Sequence, residues 1–346
     1  MSIPNNVFLN ADSSERLNEI IAGGSFDKIA VLVDENTYQH CWPNLALEGP
    51  ADIIGISSGE KAKNLTTCEY IWKEMTDLKL SRRSLLVNLG GGVIGDMGGF
   101  VASTYKRGIS FVNVPTTLLA QVDASIGGKL GIDFHGLKNH IGVFQEPLAV
   151  LVDTQYLKTL EERELRSGYA EMLKHGLINN ASHWAELASA PFSPDRNWSR
   201  LMPTSVHVKG EVVAEDPREH GLRKILNFGH TLGHAIETYF LSTKDRMLHG
   251  EAIALGMVLE AYLSQSAHGL SKASLDEVSN YLIATYGKHV LPPLPNVLEL
   301  MQHDKKNEQG KTLFSLLKNI GDCAWDQQVS QGQIEAAFDY YENLNE

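Results

Sequence analysis

The stretch from Leu85 to Gly99 constrains this chain more than any other. It opens with the apolar run Leu85-Leu86-Val87-Asn88-Leu89 and breaks at once into Gly90-Gly91-Gly92, then Gly95-Asp96 and Gly98-Gly99. A short apolar run bounded by glycine reads as a buried strand. The spacing Gly90-x-Gly92-x-x-Gly95 fits G-x-G-x-x-G between a strand and a helix. Glycines there let the backbone turn tightly and approach a pyrophosphate seated on the helix N-terminus. Glycine-rich strand-to-helix turns also occur without a ligand, so the rest of the chain has to decide.

The first half repeats the same alternation. Residues 26–34, ending in Asp34, predict a buried strand, and 52–56 a second. Asn64 opens a helix reaching about Leu78, 85–89 is the third strand, 108–114 the fourth and 148–152 the last. Pro115 ends the fourth strand, and Thr116-Thr117 can cap the helix that follows. Strands alternating with helices over short connections predict an α/β fold, a Rossmann-like parallel sheet covered on both faces. After about Gln155 the texture changes. Helix-period segments dominate, at 161–178, 198–215, 227–240, 249–268 and 275–286. A length of 346 residues suits two domains. The expected division is 1–155, α/β, and 156–346, all-helical.

Charge narrows the partners. A net charge of -12 argues against nucleic acid or an anionic membrane. A local cluster of Lys and Arg can still hold a small anion. No apolar run approaches the ~20 residues of a membrane helix. The first residues show no apolar signal segment. Cys41, Cys68 and Cys323 are far apart and predict reduced thiols in a cytoplasmic protein.

Several residue sets carry chemistry. Asp34 ends a strand, where an acidic group faces a ligand or simply caps a turn. Glu60 and Lys63 follow a strand end, placed for a ribose or phosphate, although such loops are more often merely solvated. Glu171, Lys174 and His175 share a helix face by i, i+3 and i+4 spacing, which is usually a surface salt bridge. His230 and His234 are i, i+4, the spacing of many metal pairs, and Gly229 and Gly233 let another element approach them. His249 opens an apolar helix. One Glu and two His from different helices would make a zinc set with an open position. Three histidines compete for two places, and spacing alone favours His230 with His234.

Taken together, the motifs are similar to those of the 3-dehydroquinate synthase family. The residues that carry the resemblance are Gly91-Gly92-Val93-Ile94-Gly95-Asp96, Tyr105-Lys106-Arg107-Gly108, Val114 through Ser125 and Gly127-Gly128-Lys129. Further along they are Asn227-Phe228-Gly229-His230, Gly233-His234, Leu248-His249-Gly250-Glu251 and Asp304-Lys305-Lys306. The match spans roughly residues 30–325 in order.

The resemblance implies conversion of 3-deoxy-arabino-heptulosonate 7-phosphate to 3-dehydroquinate and phosphate, in the shikimate route to aromatic amino acids. It implies NAD used as a true catalyst, a divalent metal (zinc or cobalt), a site in the cleft between two domains, and a homodimer. NAD contacts would fall on Asp34, Glu60, Lys63, the run Gly91, Gly92, Val93, Ile94, Gly95 and Asp96, and on Thr116, Thr117, Lys129, Lys138 and Thr159. The metal ligands would be Glu171, His230 and His249, leaving His234 to the substrate, against the reading from spacing alone. Other substrate contacts would be Asp123, Lys129, Asn139, Lys174, Lys209, Arg223, Asn227 and one of Lys305 and Lys306. Arg107 would reach the phosphate of the neighbouring subunit. Leu137 departs from the family's Gly before Lys138-Asn139, which bears on the loop there. The alternatives are another sugar-phosphate cyclase, a metal-dependent polyol dehydrogenase, or a binding protein without activity.

Overall fold

A computed structural model describes residues 4–135, 137–241, 243–302 and 312–344. The chain separates into two compact units, 1–161 with 198–206, and 162–197 with 207–346.

The first unit is built on a parallel sheet. Its strands are β1 (Val7–Leu9), β2 (Ile29–Asp34), β3 (Asp52–Ile56), β4 (Leu85–Gly90), β5 (Ser110–Pro115) and, later in the chain, β8 (Ala149–Val152). The spatial order is β1-β8-β5-β4-β2-β3, with every pairing parallel. Successive side chains of a strand point to opposite faces. Ala30 and Leu32 of β2 and Leu86 of β4 therefore enter one core, with Ile71 and Met75 of helix α3 (Leu65–Asp77) and Met97 and Val101 of α4 (Gly92–Thr104). Val31 and Val33, with Leu85, Val87 and Leu89, enter the other, with Leu17 of α1 (Ser13–Gly23). Burial of both faces is why these strands read as continuous apolar runs.

From β2 the chain moves outward to β3, then returns to place β4 on the other side of β2. That reversal makes the carboxyl ends of β2 and β4 a topological switch point, where open α/β sheets bind ligands. Asp34 and Gly90 stand at those two ends. The sequence did not announce the antiparallel hairpin β6 (Lys129–Phe134) and β7 (Leu137–Phe144), which pairs Lys129 with Phe144 and Phe134 with Leu137.

The second unit is helical, as expected, with one addition. Its helices are α5 (Glu162–Asn179), α6 (Ala181–Ala188), α8 (His230–Phe240), α9 (His249–His268), α10 (Lys272–Tyr286), α11 (Leu294–Gln302) and α12 (Gln331–Glu342). Helix α7 (Trp198–Glu215) gives its first half to the other unit. The addition is an antiparallel hairpin, β9 (Leu313–Asn319) and β10 (Asp322–Gln328), so this half is not all-helical. Helix α9 is buried nearly all round, from Ala252 to Leu263, and is the central rod of the unit. Among the described residues no helix is long and apolar enough to cross a membrane. The three thiols, Cys41, Cys68 and Cys323, are free and buried.

Candidate functional site

Each unit carries its own constellation. In the first, Gly91 is the N-cap of α4 and offers no side-chain cap. The first N–H groups of a helix have no intrahelical partner and carry its positive dipole end. A glycine-lined helix start at the switch point, immediately after a central strand, fits a dinucleotide's pyrophosphate. A Cβ on Gly91 would come within 3.0 Å of Thr117, so glycine keeps this approach open. Thr117 Oγ1 accepts from Ala120 N at 3.2 Å, capping a π-helical turn, Ala120–Ala124, that carries Asp123. Thr116 is buried beside it, and its N–H donates to Gly90 O at 3.1 Å.

Lys63 is the hub of this constellation. Its Nζ lies 2.6 Å from Asp96 Oδ2 and donates to Asn139 Oδ1 at 2.5 Å. Lys138 pairs with Glu60 at 3.4 Å, and Asp133 accepts from Asn139 N at 2.7 Å. Burial alone would lower the Lys63 pKa, but Asp96 and Glu60 outweigh it and hold the ammonium charged. Burial, with Glu60 and Asp123 nearby, pushes the Asp96 carboxyl above its ordinary range despite Lys63. Asn139 sits at φ 48, a left-handed conformation that asparagine tolerates, in the strand where Leu137 replaces the expected glycine. Gly136 lies outside the described residues.

Other expected positions are placed as follows. Asp34 is held in a capping box with Thr37 on helix α2 (Glu35–His40), the plainer of the two readings its position allowed. Lys129 is exposed at the open end of the β6–β7 hairpin, whereas Lys138 and Asn139 stand at its turn end, so the hairpin separates them. Val93 and Ile94 turn into the sheet core, and Gly95 packs near Ser125. Thr159 is exposed and ends the short turn Thr154–Thr159. Arg107 is exposed, and it follows Lys106 in a left-handed pair, at φ 70 and φ 50. Lys305 and Lys306 lie outside the described residues.

In the second unit, three helices bring one acid and three imidazoles together. Gly250 makes this possible, because a Cβ there would overlap the backbone of Ser167 on α5. Instead Gly250 N donates to Ser167 Oγ at 2.9 Å. Glu171 lies one helical turn beyond Ser167, and His249 precedes Gly250. Glu171 Oε1 is therefore 3.5 Å from His249 Nε2, and it is 3.4 Å from His230 Nε2. Glu171 is fully buried, and its Oε2 contacts Lys174 Nζ. The His234 ring centroid is 5.0 Å from that of His230 and 5.7 Å from that of His249.

These distances test whether a metal fits. Ligand atoms ~2.0–2.2 Å from a tetrahedral zinc stand roughly 3.3–3.6 Å apart. The two Glu171–imidazole separations match that edge. The outward nitrogens are also engaged as metal-binding histidines require. His230 Nδ1 is 3.0 Å from Phe228 O, and His249 Nδ1 is 3.4 Å from Glu237 Oε2. Each ring therefore turns Nε2 toward Glu171. Burial would lower the His249 pKa, but hydrogen bonds and charge from Glu171 and Glu237 raise it to about 9. Burial alone would raise the Glu171 pKa, and Lys174 and His230 instead hold its carboxyl well below the usual range. The donor set fits a divalent metal.

Glu237 belongs to the motif that runs on from Gly233-His234, but the sequence reading gave it no role of its own, although positions 230, 234 and 237 are i, i+4 and i+7 on one helix face. Glu219 was missed. It accepts from Asn227 Nδ2 at 3.0 Å and adopts φ 61, which few non-glycine residues do. Arg223 is buried on the turn Leu222–Asn227, its Nη1 donating to Pro217 O at 2.7 Å, and Asp216 Oδ2 accepts from its N at 3.1 Å. Lys209, on α7, is also buried.

Comparison with known proteins identifies the family. Residues 53–167 match the model of the 3-dehydroquinate synthase N-terminal domain, and 168–307 that of its C-terminal domain. The chain belongs to the 3-dehydroquinate synthase family. A 3-dehydroquinate synthase of Parabacteroides distasonis is 42% identical, over 97% of each chain. One from Legionella pneumophila is 41% identical, over 83% of this chain and 79% of its own. Among solved structures, 2-epi-5-epi-valiolone synthase from Streptomyces hygroscopicus, with NAD+ and Zn2+ bound, superimposes with a TM-score of 0.86 at 26% identity, covering 99% of this chain and 98% of that one.

Proposed function

We propose that this member of the family is a 3-dehydroquinate synthase, a lyase that converts 3-deoxy-D-arabino-heptulosonate 7-phosphate to 3-dehydroquinate and phosphate. The observation that carries it is Glu171 Oε1 set 3.4 and 3.5 Å from two imidazole nitrogens, in a chain 42% identical to a curated enzyme of that name. The conversion is redox-neutral overall, which suits a nicotinamide consumed and restored within one turnover.

Glu171, His230 and His249 would hold the metal, with Glu237 orienting His249. The α4 N-terminus would hold the NAD pyrophosphate, with Thr116 and Thr117 beside it, and Asp34, Glu60, Lys63, Asp96 and Lys138 would take its remaining polar groups. When bound, the metal polarises a ring hydroxyl and NAD accepts and returns the hydride. Lys129, Lys174, Lys209 and Arg223 would meet the substrate's carboxylate and phosphate, the local positive charge that a protein of net charge -12 otherwise lacks. Asp123, Asn139, Asn227 and His234 would orient the ring oxygens, and one of Lys305 and Lys306 would complete the set. Holding each open-chain intermediate in one place removes the entropy cost of ring closure. A homodimer, with Arg107 reaching the neighbouring subunit's phosphate, and a cytoplasmic location complete the reading. Identity favours this reaction over valiolone formation, 42% against 26%.

The test is incubation with the heptulosonate phosphate, trace NAD and zinc. Phosphate and dehydroquinate should appear in equal amounts far exceeding the NAD, and a chelator should stop both. Stoichiometric NADH would instead mark a polyol dehydrogenase, and turnover of a sugar phosphate lacking the carboxylate would mark another cyclase.

A further inference from the structure

Helix α8 begins with His230, and its N-cap is Gly229, at φ 77. Glycine has no side chain with which to accept the orphan N–H groups of the first turn. A helix start can solve this with a capping box, two of its own side chains accepting the N-cap and N3 N–H groups. Here one carboxylate from another helix accepts both. Glu260, on α9, takes Gly229 N on Oε2 at 2.7 Å and Leu232 N on Oε1 at 3.1 Å. Leu232 is N3 of this helix.

The approach depends on α9 lying almost backbone to backbone against α8. A Cβ on Gly256 would overlap the carbonyl of Gly229, and one on Gly233 would fall 3.0 Å from Ala252 O. Glu260 is one turn beyond Gly256, so it arrives beside the end of α8. It is fully buried, where an anion is costly unless hydrogen-bonded. The two N–H groups and the positive end of the helix supply that compensation.

We propose that Glu260 is a positioning residue for the metal site: by clamping Gly229 and Leu232 it fixes the backbone on either side of His230, and with it the direction of the imidazole. Phe228 O, which engages His230 Nδ1, lies on the same fixed segment. The inference rests on the metal reading above. Glu260 is not among the proposed metal ligands or substrate contacts, and it acts through the peptide units that carry a ligand.

The test uses the full-length protein loaded with Co2+, read by its visible absorption and by competition with a chelator. In E260Q an amide NH2 replaces one acceptor and faces a backbone N–H. We expect Co2+ affinity to fall about 10- to 100-fold, as for other groups that orient metal ligands, and the absorption band to shift. NAD binding, read by fluorescence titration, should be unchanged. Wild-type Co2+ affinity and spectrum in folded E260Q, whatever its Tm, would overturn the proposal. Should E260Q not fold, E260D takes its place, with the Co2+-induced rise in Tm measured within the variant. A rise smaller than that of wild type supports the role, and an equal rise refutes it. H230A separates the two readings. Co2+ binding by wild type but not by H230A upholds the metal site independently of Glu260, while failure of wild type to bind Co2+ removes both.

Discussion

Lys63 Nζ lies 2.6 Å from Asp96 Oδ2, in a pair whose lysine side chain is 5% exposed. An ion pair this buried contributes little beyond an apolar pair of the same shape, yet breaking it from one side strands a charge. Lys63→Met should therefore cost about 3–5 kcal/mol in equilibrium unfolding. The double variant with Asp96→Asn should recover much of that. A single-variant loss below about 1 kcal/mol would show that water reaches Asp96.

His183 makes stability pH-dependent in the acid range. Burial, with the nearby His175, lowers its pKa from 6.5 to about 4. The unfolded chain takes up the proton first, so the contribution is complete above pH 6.5 and is lost as pH falls toward 4. The loss should reach about 3 kcal/mol, because each tenfold weakening of proton affinity is worth roughly 1.4 kcal/mol. Denaturant titrations at pH 7 and pH 4 on wild type and His183→Gln would show it. The variant should lose less stability than wild type between those pH values, and equal losses would refute the assignment.

Arg223 is held by Pro217 O and by Asp216 rather than left to find its own position. Such preorganisation costs nothing at the moment of reaction. Arg223→Ala should lower kcat/KM at least about 30-fold, near 2 kcal/mol of transition-state binding. Arg223→Lys should recover only part, lacking the fork that grips an oxyanion in two places. A loss smaller than tenfold would place the phosphate elsewhere.

Gly256→Ala adds one methyl group against the carbonyl of Gly229. Overpacking of this kind costs typically about 1–3 kcal/mol. The strain falls on the segment before His230, so weaker zinc binding should accompany the lower Tm. A lower Tm with unchanged zinc affinity would mean that α9 yields rather than α8.

The sheet was legible because β2, β4 and β5 are buried on both faces and spell that out in apolar runs. Helices α5 and α9 were legible from their length, too long for strands, although both are buried nearly all round and show no one-sided apolar stripe. The β6–β7 hairpin was not legible, since no residue of β7 is fully buried and its first half carries the polar run Lys138, Asn139 and His140. Hairpin β9–β10 turns at Gly321, φ 89, and its pairing is broken by register shifts. Local spacing exposes His230 and His234 as a pair, but the contact of Glu171 with His230 and His249 is created by Gly250 meeting Ser167, a tertiary event with no local signature. Glu260 is likewise invisible in sequence, where it reads as one more residue of an apolar helix.

The buried thiols have a use of their own. Burial pushes Cys41 up to about 11 and Cys68 up to about 12, and raises Cys323 well above its ordinary value. A thiol reacts as its thiolate, so none of the three should be modified at neutral pH while the fold is closed. Cys41 and Cys68 belong to the first unit and Cys323 to the second. The chain thus carries native reporters, one set in each half. The order in which alkylating reagent marks them, read by mass, would reveal which half breathes first, with no label added.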